Sequence, residues 1–95
     1  MTSNSALLGL VKALASELGP DGVRVNSIAP GIIETNFSSA LTQGAAGEAV
    51  LMNTPLGRFG LPEDCAGAAV FLSSDDASYI TGETMSINGG MPARL

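Results

Sequence analysis

Along the first eighteen residues Leu7, Leu10, Val11, Leu14 and Leu18 recur three and four positions apart, while Lys12, Ser16 and Glu17 fall on the other side. That spacing predicts an amphipathic helix over Ser5 to Leu18, since such positions share one face of a 3.6-residue turn. Gly19-Pro20-Asp21-Gly22 closes it, because glycine takes the conformation that ends a helix and proline has no amide hydrogen to continue one. Val23 to Ala29 follows as a short β-branched run. Its apolar residues Val23, Val25 and Ile28 do not keep one parity, so it predicts a strand covered on both faces, as in parallel sheets.

The run meets a Pro30-Gly31 break, and Thr35 stands four residues past the glycine. From Asn36 to Gly60 the chain is rich in Ser, Thr, Gly and Ala, with weak helical periodicity through Ala40-Leu41 and again through Glu48 to Met52. A mobile lobe of one or two short helices is expected there. Pro62 suits a first helical position and Glu63 and Asp64 suit the first turn, so a second helix is predicted from Pro62 to about Ser73. Cys65 to Leu72 offers no polar face, which predicts cover on nearly every side, from the same chain or from a partner subunit. After the polar break Ser74 to Ser78, Thr84 to Asn88 alternates as a strand that Gly89-Gly90 ends. Two strands joined through a helix are most simply parallel neighbours with a right-handed crossover, so the pattern reads as the back half of an α/β layered fold.

Composition narrows the chemistry. Ninety-five residues make at most one small domain, and 45% apolar side chains with few aromatics suit helix packed on sheet rather than disorder. The formal charge is −5 and the four basic residues stand singly, so no stripe exists for a nucleic-acid backbone. Cys65 is the only cysteine and histidine is absent, which excludes disulfide frameworks, the usual Cys/His zinc sites and a histidine triad. The longest apolar run is far below the roughly 20 residues that span a bilayer, so a soluble intracellular chain with no membrane partner is expected. Asn36-Phe37-Ser38 fits the glycosylation pattern and is read as coincidence. Glu63-Asp64 is explained by the helix dipole without acid–base work. Cys65 could be a reactive thiol near a helix N-terminus, but its apolar run favours a buried structural cysteine.

Ligands of open parallel sheets sit at the carboxyl ends of the strands, which is where Pro30-Gly31 lies. Extended backbone at Ile33 can offer an N–H and a C=O in one plane to a flat carboxamide such as that of nicotinamide, with the Thr35 hydroxyl adding a contact. An ordinary strand-ending turn with a solvated Thr35 fits the same residues, and on these residues alone both readings stand.

Arg24-Val25-Asn26, Pro30-Gly31 with Thr35, Ala77-Ser78-Tyr79-Ile80-Thr81-Gly82 and Asn88-Gly89-Gly90, in that order, resemble the carboxyl-terminal part of a short-chain dehydrogenase/reductase. The resemblance spans essentially the whole chain, and DASYITGET with the ending GGMPARL narrows it to one subgroup. It implies the C-terminal portion of a Rossmann-type doubly wound parallel sheet, an incomplete domain ordered helix-strand-lobe-helix-strand. It implies NADP(H), with NAD as the other form, and a small carbonyl or alcohol substrate. Pro30, Gly31, Ile33 and Thr35 would lie against the nicotinamide end, and residues 36–60 would form the substrate lobe. It also implies a homo-oligomer, a tetramer, assembled through the Cys65 to Leu72 helix and the strand of Met85 and Ile87.

The departures are as informative. The family's glycine-rich loop and catalytic serine belong to its amino-terminal part, Asn4 stands where the lysine of its Tyr-x-x-x-Lys pair belongs, and the tyrosine would precede Met1. Tyr79 cannot replace it, because Glu83 rather than a lysine follows at four residues, so core or interface packing is expected for Tyr79. No catalytic residue is therefore assigned within this chain. Two expectations follow, a carboxyl-terminal segment of an NADP(H)-dependent oxidoreductase that is inactive alone, or a non-catalytic truncated product acting as an interaction module.

Ala93-Arg94-Leu95 has the small, basic, leucine form of a carboxyl-terminal peroxisomal signal, so a peroxisomal location is expected, with the cytoplasm as the alternative. A fluorescent protein fused at the amino end should give puncta that disperse when residues are added after Leu95; a diffuse signal from both fusions would refute the address.

Overall fold

The computed structural model describes residues 2–34 and 43–91, with the side chains of the first helix from Ala6 onward. Helix α1 covers Thr2–Leu18 and passes through a 3-10 turn at Gly19–Asp21 into strand β1, Ser27–Pro30. Helix α2 covers Gly44–Met52 and α3 covers Pro62–Ser73; a second 3-10 turn, Asp75–Ala77, leads to β2, Thr84–Ile87. The strands pair in parallel, Ser27 opposite Thr84 and Pro30 opposite Ile87, and α3 packs on both. The α/β class and the parallel pairing are those the sequence predicts.

Strand β1 is shorter than the predicted Val23 to Ala29, because residues 23–26 give their polar groups to other partners. Val23 N–H returns to the Leu18 carbonyl at 3.2 Å, and Val25 N–H donates to Thr81 Oγ1 at 3.0 Å. Asn26 bridges the facing turn with both ends of its amide, Nδ2 donating to the Ile80 carbonyl at 3.0 Å and Oδ1 accepting from Glu83 N–H at 3.1 Å. Regular pairing starts only at Ser27, whose hydroxyl meets that of Thr84 at 2.7 Å. Pro30 has no donor to give, and the Gly31 N–H makes the closing bond to the Ile87 carbonyl at 2.8 Å.

Arg24 ties the second half of the chain to the first. Its guanidinium donates to the carbonyls of Leu72 at 2.8 Å, Ile80 at 3.3 Å and Ser74 at 3.3 Å. The last carbonyls of a helix have no partners within it and carry the negative end of its dipole, so a cation with several fixed donors suits the end of α3. Helix α1 docks on the turn before β2: Lys12 Nζ donates to the Gly82 carbonyl at 3.1 Å, beside the buried Val11 and Ala15. Gly82 has φ +74°, and a Cβ there would lie 3.4 Å from that of Ala15.

Burial within this chain departs from expectation at α3, Tyr79 and Cys65, and cover of α3 and Tyr79 by a partner subunit stays as the other half of those expectations. The described core is small, comprising Val11, Ala15, Leu72 and Ala77 among apolar residues, and α3 is not covered on most sides by its own chain, since Val70 is 70% exposed and Phe71 lies open beside it. Leu72 is the buried residue of α3, whereas Val70 and Phe71 are exposed. Tyr79 is fully exposed at 102%, so it is not a core residue of this chain. Cys65 is half-buried rather than buried. In the lobe, α2 begins at Gly44, earlier than the periodicity indicates, because its residues are small and only Gly47 is buried. Ala40-Leu41, Asn36-Phe37-Ser38 and Ala93-Arg94-Leu95 lie outside the described residues.

Replacing Arg24 with Ala should lower stability by about 1.5–3 kcal/mol, the range for hydrogen bonds to a charged group, and Arg24→Lys should recover only part of it. Urea denaturation with unchanged m-value checks this; an unaltered midpoint for Arg24→Ala would show that the staple contributes nothing.

Candidate functional site

The two strands end side by side, and the chain leaving β1 crosses the end of β2 at very short range. A Cβ on Gly31 would lie 2.9 Å from Asn88 Cα and 3.0 Å from Asn88 Cβ, so glycine here permits close approach rather than an unusual φ. Ile33 then forms a parallel bridge with Gly60. Gly60 N–H donates to the Ile32 carbonyl at 3.0 Å, and Glu34 N–H donates to the Gly60 carbonyl at 2.8 Å. In a parallel bridge the bonds fall to the residues flanking the paired one, so the peptide groups of Ile33 point to the opposite edge of the extended chain. Of the four predicted site residues, the structure brings Pro30, Gly31 and Ile33 into one extended crossing at the strand ends. Thr35 lies outside the described residues.

Beside this crossing is a cleft of about 460 Å³ between the lobe and the strand ends. Val50, Thr54 and Leu56 line it from the lobe, Ile87 from β2 and Ile32 from the chain leaving β1, and Arg58 and Asp64 complete the lining. Apart from that pair its lining is apolar or uncharged, which suits an uncharged occupant. The Arg58 guanidinium is already engaged: Nη1 meets Asp64 Oδ2 at 2.9 Å and Nη2 meets Oδ1 at 3.2 Å, while Nη1 also donates to the Phe59 carbonyl at 3.0 Å.

Asp64 does more than complement a helix dipole. Leu61 precedes α3 at the capping position but has no side-chain acceptor, and the Asp64 carboxylate takes the Leu61 N–H at 2.7 Å. The hydrogen bonds from Arg58, then that from Leu61, bring the Asp64 pKa down to about 2, and Arg58 is held protonated more firmly in return. The sequence reading missed this pair. An acid three residues after a leucine that cannot cap was the available signal for Asp64; Arg58, in the irregular chain before the helix, falls under no helical spacing rule. Neither Cys65 nor Tyr79 lines the cleft. Among the described residues no cluster of His, Cys, Asp or Glu could hold a metal ion, and no helix is long and apolar enough to cross a membrane.

Comparison with known proteins places these features in a wider set. Residues 1–92 match the family described as enoyl-(acyl carrier protein) reductase. The chain is 52% identical over 94 residues to the dehydrogenase/reductase SDR family member 4 of Rattus norvegicus, covering 98% of this chain and 34% of that protein. It is 52% identical over 94 residues to the short-chain dehydrogenase/reductase SDRA of Arabidopsis thaliana, covering 98% and 37%. Among solved structures, a putative 2-deoxy-D-gluconate 3-dehydrogenase from Agrobacterium tumefaciens with bound NADP superposes with a TM-score of 0.90 at 47% identity, over 98% of this chain and 38% of that one. A hydroxysteroid dehydrogenase from Escherichia coli gives 0.92 at 37% identity, over 97% and 38%. The chain thus spans about a third of the length of the relatives it matches.

The depressed Asp64 pKa fixes the sign of a pH effect. A carboxyl whose folded pKa lies below its unfolded value stabilises the fold fully above the unfolded value, and that contribution is lost as pH falls from about 4 towards about 2. NMR titration should place the Asp64 midpoint near 2 in the parent, and Arg58→Gln should raise it part of the way towards the ordinary carboxylate range, the Leu61 bond remaining. An unmoved midpoint in Arg58→Gln would remove the ion pair as the main cause.

Proposed function

This chain belongs to the short-chain dehydrogenase/reductase family, and we propose that it supplies the nicotinamide-facing loop, the substrate lobe and an assembly surface of an NADP(H)-dependent oxidoreductase that reduces carbonyls or oxidises alcohols. The observation that carries this reading is the crossing at the strand ends. The bridge to Gly60 is made by the Ile32 carbonyl and the Glu34 N–H, which fixes Ile33 in extended chain at the carboxyl ends of both strands, where open parallel sheets bind their ligands. In this reading Pro30 sets the exit of the strand, Gly31 keeps the crossing close, Ile33 holds the carboxamide and Thr35 adds its hydroxyl. NADP bound in the Agrobacterium relative supports the choice of that nucleotide. The cleft beside the lobe is the proposed substrate side, and its uncharged lining supports a neutral carbonyl or alcohol.

The chain has neither the Tyr-x-x-x-Lys pair nor a glycine-rich phosphate loop. Proton transfer to a carbonyl oxygen needs an acid within hydrogen-bond reach, and nucleotide affinity needs more than the edge at Ile33. Two or three hydrogen bonds worth about 0.5–1.5 kcal/mol each do not reach the roughly 4 kcal/mol of a millimolar complex once association entropy is deducted. In this proposal the chain alone does not transfer hydride. The exposed outer face of α3, with Val70 and Phe71, is the proposed contact surface of a homo-oligomer, a tetramer in the parent enzyme, and the same surface favours the second reading, an interaction module without catalysis.

One chimera separates these readings. With residues 5–95 replacing the matching residues of the rat relative, so that the relative keeps its own Tyr-x-x-x-Lys pair where this chain has Asn4, NADPH-dependent reduction of a carbonyl compound turned over by the unaltered relative should persist and fall on Thr35→Val, while the isolated chain should show no saturable NADPH fluorescence change up to millimolar nucleotide. A folded chimera without nucleotide binding would favour the interaction module, and turnover by the isolated chain would refute its dependence on further residues. Ala69→Arg, on the exposed face of α3, should shift the chimera to smaller species in sedimentation; an unchanged profile would remove this face from assembly.

A further inference from the structure

The segment Thr54 to Gly60 touches the end of both strands. At its start, Leu56 N–H donates to the Gly89 carbonyl at 3.0 Å, and the Gly89-Gly90 turn beyond β2 packs on Thr54 and Pro55. At its finish, Gly60 makes the two-bond bridge around Ile33 beyond β1. Between them the segment is held by the Gly57 N–H to the Thr54 carbonyl at 2.8 Å and by Arg58 on Asp64. It is therefore a short strap, fixed at both ends, that runs from the turn after β2 to the residue proposed to hold the carboxamide.

The packing at its start is tight. Gly89 and Gly90 have φ of +63° and +93°, and a Cβ would lie 2.8 Å from Thr54 Cγ2 at the first and 2.9 Å from Pro55 Cγ at the second. Thr54 cannot give way at no cost: it is a buried polar residue, and its hydroxyl donates to the Val50 carbonyl at 2.7 Å. A change at Gly89 must turn Thr54 off that carbonyl or displace the strap. Only three residues lie between Leu56 and Gly60, so a displaced strap moves Gly60 against Ile32 and Glu34.

We infer that Gly89 and Gly90 are positioning residues for Ile33, acting through the strap Thr54 to Gly60. The function of this device rests on the reading of Ile33 given above, whereas the mechanical coupling does not.

Amide exchange by NMR on the full chain, without nucleotide, tests the coupling. In Gly89→Ala the Gly60 and Glu34 amides should exchange roughly two- to tenfold faster, from the cost of an off-rotamer Thr54, while the Ser27 amide, bonded to the Glu83 carbonyl, is unchanged. Adding Thr54→Ser removes Cγ2 but keeps the hydroxyl, and should restore slow exchange at both amides. Acceleration confined to Leu56, or persisting with Thr54→Ser, would overturn the inference, because backbone strain at Gly89 alone is not relieved by that change. Should Gly89→Ala unfold the chain, with Ser27 exposed as well, Thr54→Val decides: the same two amides must accelerate, and unchanged rates overturn the coupling. Coupling observed alongside a chimera that fails to bind NADPH would leave this inference standing and remove the nicotinamide reading.

Discussion

The guanidinium of Arg24 is the interaction on which the arrangement of this chain depends. Between the end of α1 and the start of β1 it gathers three carbonyls from segments about fifty residues away, at the end of α3 and in the turn before β2. Asn26 adds two bonds to the same turn, so that when the chain reaches Ser27 its neighbour is already in register. A parallel pair of four-residue strands has few ladder bonds of its own. Fixing its entry by a charged side chain with several donors sets where the strands end, and hence where Gly31 crosses Asn88.

From that register the site follows by close packing. Gly31 against Asn88, Gly60 against Ile33 and Gly89 against Thr54 are places where a Cβ would meet another atom at 3.0 Å or less. Three segments converge there because glycine leaves room for the Asn88 backbone at Gly31 and for the Ile33 and Thr54 side chains at Gly60 and Gly89, and the extended edge at Ile33 is held by neighbours on both strands rather than by one loop. The lobe is joined to the sheet through the same strap, which ties the proposed substrate side to the proposed nicotinamide side.

Helices were legible in the sequence where periodicity was strong. Leu7 to Leu18 announced α1 and Pro62-Glu63-Asp64 announced the start of α3, whereas the small residues of Gly44 to Met52 gave α2 a weak signal. The β-branched run was legible as extended chain but not where pairing begins, since Val23 and Val25 look like strand residues while their backbone bonds go to Leu18 and Thr81. Arg24-Val25-Asn26 was recognised as a family signature without a physical reason; the carbonyls it gathers supply one. Periodicity showed that α3 lacks a polar face but could not say what lies over it, and in this chain Val70 and Phe71 are open. Tyr79 is exposed in this chain, which removes the core half of its expectation, because aromatic character predicts burial only when an element lies against it. The Arg58–Asp64 pair joins irregular chain to a helix start, where no period connects the partners.

In the proposed enzyme the backbone edge of Ile33 receives the nicotinamide carboxamide. In the chimera carrying residues 5–95, the affinity for NADPH should be compared with that for its 3-acetylpyridine analogue, which keeps the ring carbonyl but lacks the amide donor. Loss of one bond to a backbone carbonyl, about 0.5–1.5 kcal/mol, predicts binding of the analogue weaker by roughly two- to tenfold. Equal affinity for the two nucleotides would contradict the assignment of Ile33 as the carboxamide partner.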